Sequence, residues 1–490
     1  MKRFFLACTL GLAALTGLLY WTRPDSHRAV PVLYWMTQDD PVKRETIALF
    51  GQWRAAQGLP PVELRIDHSN QDATKKLVQG VSGVGGDLID LYYTELELMQ
   101  STGMLVDVTD EARREGFGPS STYPAISIDF MVEGRQFGYP RNVDGPMCWV
   151  NRATFARFGL PEPPAHWTWD EFEERGRRFV AAANPPGTRQ RTYFINRIWP
   201  PVLRRGLGLS TFNETMTRCT LDDARNVEVL TRIRRWTVEE RLMPTAEDQA
   251  AMAADGTAWD SSFGLFAAGR FAMIYEGLWA LIRLRPLGDF QLRAVEPFTS
   301  GFRNMELGCG AVAVYGGSKH PEEARSFLRF LASEPFNRLV ARSGDSMPTG
   351  PAYARQAVFL QPPGQEGDWP AKAAFAQAGP TIGIGNSKSP FVLPSIVLKL
   401  DTQALQLVLA ALLTPAEAAR QEARQINAEI ALTIGQDPAL ARLYEARQAQ
   451  QRQIDQRRAA GRPVPATWIS DPFHLAYYRA QGWLEAEVAP

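Results

Sequence analysis

A chain of 490 residues exceeds what one hydrophobic core organises, so two or more lobes are expected. Hydrophobic residues make up 45% and charged residues 22%, the proportions of a folded protein and not of a disordered one. Lys plus Arg and Asp plus Glu both number 53, and this zero formal charge argues against a nucleic-acid binder.

Met1-Lys2-Arg3 precedes Phe4 to Trp21, a stretch without a charge. It reads as a signal sequence or a membrane anchor. At ~1.5 Å per residue it spans roughly 27 Å, enough for a thin bilayer. Three fates stay open: an uncleaved anchor, cleavage near Ala14-Leu15-Thr16, or a lipoprotein site at Cys8. Lys2 and Arg3 favour the remainder lying in the periplasm or at the cell surface. Cys148, Cys219 and Cys309 have no metal-ligand spacing and read as buried thiols, with one disulfide as the alternative.

Pro31 to Met36 reads as a strand, and Asp40-Pro41 opens a helix to Gln57. Val62 to Ile66 alternates as a second strand, Asp72 to Val81 is a helix, and Asp87 to Tyr92 is a third strand. This β-α-β-α-β order predicts an α/β fold with a parallel sheet covered by helices. The loop from Gly80 to Gly86 precedes a strand, so it lacks the strand-before-helix context of a phosphate cradle.

Gly138 to Phe172 is the most informative stretch. A short strand stops at Pro140, and Arg141, Asn142 and Asp144 form a polar joint. An apolar strand, Met147 to Val150, leads to a short helix closed by Gly159. Pro161 to Pro164 stiffen a link to a new helix, where Thr168 and Glu171 are spaced as a capping box. Polar side chains and free backbone ends converge at such joints, which suits a ligand. Further on, Phe266 to Ala280 reads as a helix end, a Gly turn, a buried strand and a new helix from Gly277. Gly308 to Val314 is a strand, and Thr414-Pro415-Ala416-Glu417 is another capping-box start.

These blocks, in this order and spacing, resemble the extracellular solute-binding proteins of ABC importers, in particular their maltose-binding-protein-like sugar-binding family. The matching pieces are Gly138-Tyr139-Pro140, the strand ending in Asn151, Gly159-Leu160-Pro161, Thr168-Trp169-Asp170-Glu171-Phe172, Gly269-Arg270-Phe271 to Trp279, and Gly308 to Val314. They are scattered over residues 31 to 430. The resemblance implies a periplasmic-binding-protein-like fold, two α/β lobes with a hinge and an interlobe cleft. It implies crossings near residues 141–145, 296–304 and 335–347. Lobe 1 would hold 31–141 plus 297–335, lobe 2 would hold 142–296 plus 336–430, and 1–30 would be the signal or anchor. The chain would bind a mono- or oligosaccharide and present it to the transmembrane permease subunits. It would act as a monomer, without cofactor, metal or catalysis.

Sugar binding needs aromatic faces for the C–H side of the ring and planar polar groups for the hydroxyls. Candidates stand where strands end: Trp35, Gln38 and Asp39 after the first; Tyr92, Tyr93, Thr94 and Glu95 after the third; Arg141, Asn142 and Asp144 at the first joint. By resemblance Asp144 falls at a ligand carboxylate, Trp279 at a sugar-stacking Trp, and Asn196 and Trp199 in a ligand loop. Tyr275, Glu276 and, at the third crossing, Met347 complete the set. Core packing is the competing reading for each aromatic. No Phe, Trp or Tyr occurs between Phe391 and Tyr444, where many sugar binders carry a stacking ring.

Residues 431–490 lie beyond the resemblance. Ala439 to Ala460 is a polar helix, and the aromatic tail after Pro463 either docks on the body or forms a partner surface. Two other functions stay open: a membrane-tethered sensor or adaptor with the same fold, and a carbohydrate-active enzyme with paired carboxylates. Only five His are present and no Gly-x-Ser-x-Gly elbow, so the residues offer little else for catalysis.

Overall fold

The computed structural model describes residues 30–68, 72–252, 258–288, 292–344 and 346–486; the apolar N-terminal segment and Cys8 lie outside the described residues. The strands are β1 (Val32–Met36), β2 (Glu63–Asp67), β3 (Leu88–Leu91), β4 (Met131–Val132), β5 (Arg135–Gln136), β6 (Tyr139–Asp144), β7 (Met147–Asn151), β8 (Tyr193–Ile195), β9 (Phe271–Glu276), β10 (Leu292–Val295), β11 (Met305–Glu306), β12 (Gly308–Val314) and β13 (Gly383–Ile384).

A five-stranded sheet in the order β2-β1-β3-β12-β6 forms the first lobe. β1 pairs in parallel with β2 and β3, as the alternating strand-helix order dictates, and β12 closes it antiparallel. Side chains alternate across the sheet. Leu33, Trp35, Leu88, Val312 and Val314 enter one core, and Met36, Ile89, Leu91 and Ala313 enter another. The helix Pro41–Ala56 begins on Asp40, whose carboxylate accepts from Lys43 N at 2.9 Å. The second lobe is built on a four-stranded sheet, β10-β7-β9-β8. Trp149 and Ile274 face one core, and Cys148, Val150, Met273 and Tyr275 the other. The helix Trp169–Ala183 carries the capping box expected at Thr168 and Glu171.

One local expectation fails. The strand does not stop at Pro140 but runs on to Asp144, pairing with β12 around a bulge between Gly310 and Ala311. β6 is an edge strand, so the N–H that Pro140 lacks need not serve the ladder. Arg141 and Asn142 are therefore strand residues, and the chain leaves the sheet at Gly145-Pro146. Residues 296–304 lead back from β10 to β11 and β12. After the helix Glu334–Ser343, Met347 exchanges two backbone hydrogen bonds with Val143, each 2.9 Å. The three described cysteines, Cys148, Cys219 and Cys309, are free and buried.

The C-terminal residues form the helices Pro438–Ala459 and Pro472–Ala480. Ile454, Val464, Ile469 and Tyr478 make a small core of their own. The tail docks on the body: Ser470 N and Asp471 N donate to Glu214 O at 2.8 and 3.0 Å, and Phe473 meets Phe302 at 5.8 Å. His474 Nδ1 lies 2.7 Å from Asp471 Oδ2. Burial would lower the His474 pKa, but Asp471 and Glu214 outweigh it and raise the imidazole above its ordinary 6.5. Burial would raise Asp471, but His474 and two serines hold it below 3.8. Glu214 is likewise held below 4.5, burial being offset by His474, Tyr478 and Gln451. The imidazolium contribution is complete below pH 6.5 and is lost as pH rises through the higher folded value. The carboxylate contributions are complete above 4.5 and are lost as pH falls. Tail docking is thus strongest between about pH 4.5 and 6.5. Thermal midpoints taken from pH 5 to 8 should fall toward pH 8 in the parent, and His474→Gln should flatten that profile.

Candidate functional site

At the end of the first sheet, the Trp35 indole N–H donates to Asp90 Oδ1 at 2.8 Å and Thr37 donates to Asp90 Oδ2. Arg141 Nε approaches Asp90 Oδ2 at 3.3 Å. Lys76 Nζ donates to Asp90 O at 2.9 Å and to Glu95 Oε2 at 3.0 Å. The chain then turns at Tyr92, which is 44% exposed, into the helix Tyr93–Ser101.

At the end of the second sheet, Asn196 Oδ1 accepts from Tyr275 N at 2.9 Å, and Arg197 Nη2 spans both Glu276 oxygens at 3.0 Å. Burial pushes the Glu276 carboxyl up, against the opposing pull of Arg197 and Asn196. Asp144 Oδ1 accepts from Gly145 N and Leu278 N, both at 2.8 Å. A Cβ on Gly277 would stand 2.5 Å from Asp144 Oδ2, so glycine is required for this close approach.

Between the lobes lies a pocket lined by Tyr93 from the first lobe, by Trp199, Arg205, Ser210 and Ser387 from the second, and by Glu306 of β11. Its cavity is about 60 Å³. Alongside it, an open groove of about 680 Å³ runs past Thr94 and the helix Pro394–Leu409. Burial raises the Glu306 carboxyl, while Arg205 and the Trp199 N–H pull it down. Arg205 Nη2 donates to Gly385 O at 2.9 Å. Arg204 and Asp401 also line the pocket: Arg204 Nη2 donates to Asp401 Oδ1 at 2.5 Å and Arg204 Nε to Asn226 Oδ1 at 2.8 Å. Glu422 Oε2 is 3.9 Å from the same guanidinium.

The structure brings Tyr93 and Trp199 into the pocket and Thr94 into the groove. It places other candidates elsewhere. Trp35 is 1% exposed in the first core, where Phe327 packs 5.0 Å away, so its ring face is covered. Tyr275 is buried in a core of the second sheet, and Met347 in a core that Val143 and Cys309 of the first sheet share with Trp149 and Ile274. Glu95 is committed to Lys76, and Asp144 to the backbone of the turn after β9. Asn142 accepts from Gly310 N at 3.0 Å. Gln38 and Asp39 are exposed, and Asp39 pairs with Arg44. Trp279 is half-buried edge-on to Phe263 at 5.5 Å. Arg205, Ser210, Glu306, Ser387 and Asp401 escape sequence reading, because no local pattern distinguishes them from other loop and helix polar residues.

With this geometry the family is settled. A profile described as bacterial extracellular solute-binding protein matches residues 60–337, more than half of the chain. The chain belongs to that family. Among solved structures it is similar to the ABC substrate-binding protein Lmo0181 from Listeria monocytogenes in complex with cycloalternan, at 18% identity and a TM-score of 0.69, over 82% of this chain and 99% of that one. It is also similar to an ABC transporter solute-binding protein from Thermotoga lettingae bound with α-D-tagatose, at 16% identity and TM-score 0.67, covering 82% and 100%. The maltotriose-binding protein of Thermus thermophilus gives 17%, 0.60, 82% and 100% in the same terms. No curated protein matches. The two-lobed periplasmic-binding-protein-like fold is shared with these structures.

Proposed function

We propose that the chain is the extracytoplasmic substrate-binding component of an ABC importer and takes a mono- or oligosaccharide between its lobes. The observation that carries this reading is the pocket itself: Tyr93 and Trp199, from opposite lobes, flank a polar floor of Arg205, Glu306, Ser210 and Ser387. Aromatic faces beside charged and hydroxyl groups are what a pyranose ring requires. The roughly 60 Å³ cavity is far smaller than the ~300 Å³ and upward typical of ligand sites. Loading therefore requires the lobes to part, with residues 31–141 plus 297–335 moving against 142–296 plus 336–430 and the open groove as the entry. Of the sequence candidates we retain Tyr92, Tyr93, Thr94 and Trp199 as wall residues. Arg141, Asn196, Glu276 and Trp279 stand on the flanking strand ends, with Arg197.

The chain would work as a monomer, outside the cytoplasm, with permease transmembrane subunits as its partner and the N-terminal segment as signal or tether. We read it as a binder and not an enzyme, so a bound oligosaccharide should be recovered unchanged. A thermal-shift screen of the protein against tagatose, maltose, maltotriose and maltotetraose tests the reading. At least one should raise the unfolding midpoint, by mass action on the folded form. No shift with any of these or with a wider panel of mono- and oligosaccharides would remove the sugar reading.

A further inference from the structure

The C-terminal tail sits directly behind the pocket. Ser387 Oγ donates to Asp471 Oδ1 at 2.7 Å and lies 3.1 Å from Ser210 Oγ, and both serines line the pocket. Arg205, a third lining residue, stands over the Phe473 ring at 6.0 Å. Asp471 is fully buried and caps the helix Pro472–Ala480, accepting from Phe473 N. Its other oxygen is held by His474, whose ring is wedged against Phe473 at 5.3 Å and Tyr478 at 6.1 Å. A buried carboxylate with a fixed counter-ion is a rigid acceptor, and it fixes the hydroxyl that donates to it.

Ser387 belongs to a segment whose side chains alternate in direction, as an extended chain requires. Asn386 Nδ2 donates to Asp129 Oδ1 at 3.0 Å, and Lys388 Nζ donates to Ile128 O at 2.8 Å and lies 3.5 Å from Glu97. All three partners belong to the first lobe; Asp129 is tied to β12 through Cys309 N at 2.8 Å. Ser387 and Ser389 point the other way, to Asp471 and to Met216 O. One short segment thus touches the first lobe with its even residues and the second lobe and tail with its odd ones.

We propose that Asp471 and His474 are positioning residues for the cleft. By anchoring Ser387 they set the twist of residues 386–388, and so decide whether Asn386 and Lys388 reach across to the first lobe while Ser210 and Arg205 face the pocket. The tail is then a working part of the lobe-to-lobe latch and not only a cover for exposed aromatics.

The test needs no ligand, so it stands or falls separately from the sugar reading. Spin labels on Gln52→Cys in the first lobe and Ala181→Cys in the second, in full-length protein carrying Cys8→Ser, report the interlobe distance by pulsed electron resonance. Both positions are exposed, whereas Cys148, Cys219 and Cys309 are buried and stay unlabelled. Ser387→Ala, Asp471→Asn and His474→Gln should each lengthen and broaden the distance distribution. Ser389→Ala, which loses a contact within the second lobe only, should leave it as in the parent. If Asp471→Asn does not fold, Ser387→Ala, which cuts the same link and keeps the tail charge pair, decides the matter. A Ser387→Ala protein with the parent's circular dichroism and the parent's distance distribution would overturn the proposal.

Discussion

Replacing Arg204 by Met should lower stability by about 3–5 kcal/mol, the largest loss expected from any single substitution in the pocket region. Arg204 is 1% exposed, and it is the cation that faces Asp401, itself 7% exposed. Burial alone would depress the guanidinium, but the charges of Asp401 and Glu422 outweigh it and raise its pKa. Glu422 is different: burial and the neighbouring Asp401 drive its pKa well up from 4.5, against the pull of Arg204. Arg204 is therefore one cation facing two buried carboxyl groups, of which Asp401 makes the short contact. Removing the cation takes the ion-pair partner away from a largely buried Asp401 carboxylate. Glu422→Gln keeps the side-chain shape and removes only an acid whose ionisation burial disfavours, and should cost about 1 kcal/mol or less. Urea unfolding of the two variants measures the contrast. Equal losses would overturn the contrast.

Trp199→Ala should weaken binding of whichever saccharide gives the largest thermal shift by about 10- to 100-fold, or about 1.4–2.8 kcal/mol. Trp199 is half-buried and lines the pocket together with Glu306. It also precedes the helix Pro200–Gly206 without making a side-chain cap, so its loss should leave that helix start intact. Trp279→Ala is the informative contrast. Trp279 packs against the second lobe's core beside Phe263, and its truncation should reduce stability more than affinity. Titration calorimetry on both variants orders them. If Trp279→Ala loses affinity and Trp199→Ala does not, the ligand sits nearer the strand ends marked by Glu276 and Asp144.

Much of the scaffold was legible because its causes are local. The capping boxes at Thr168 with Glu171 and at Thr414 with Glu417 depend on residues three apart, and both form. The parallel arrangement of β1, β2 and β3 followed from strands alternating with helices. The aromatic tail was expected either to dock or to present a partner surface, and docking on Phe302 and Glu214 is what the fold provides. The site was less legible. Trp35 and Tyr275 lie near the ends of apolar strands, so the sequence carries no polar alternation to tell a core-facing ring from one that faces a ligand.

The sequence by itself determined the family, the alternation of strands and helices that builds two lobes, and the presence of a C-terminal extension. Each rests on short-range pattern: periodicity, capping spacing and turn residues. Only the tertiary structure decided which polar groups share a pocket. Tyr93, Trp199, Glu306 and Ser387 are separated by 106, 107 and 81 residues in turn and meet because the two sheets and the segments joining them bring them there. It also decided that Asp471 stands behind Ser387. The reason is physical: a buried carboxylate takes whatever donors the packed chain delivers, and that delivery depends on the whole fold and not on neighbours in sequence.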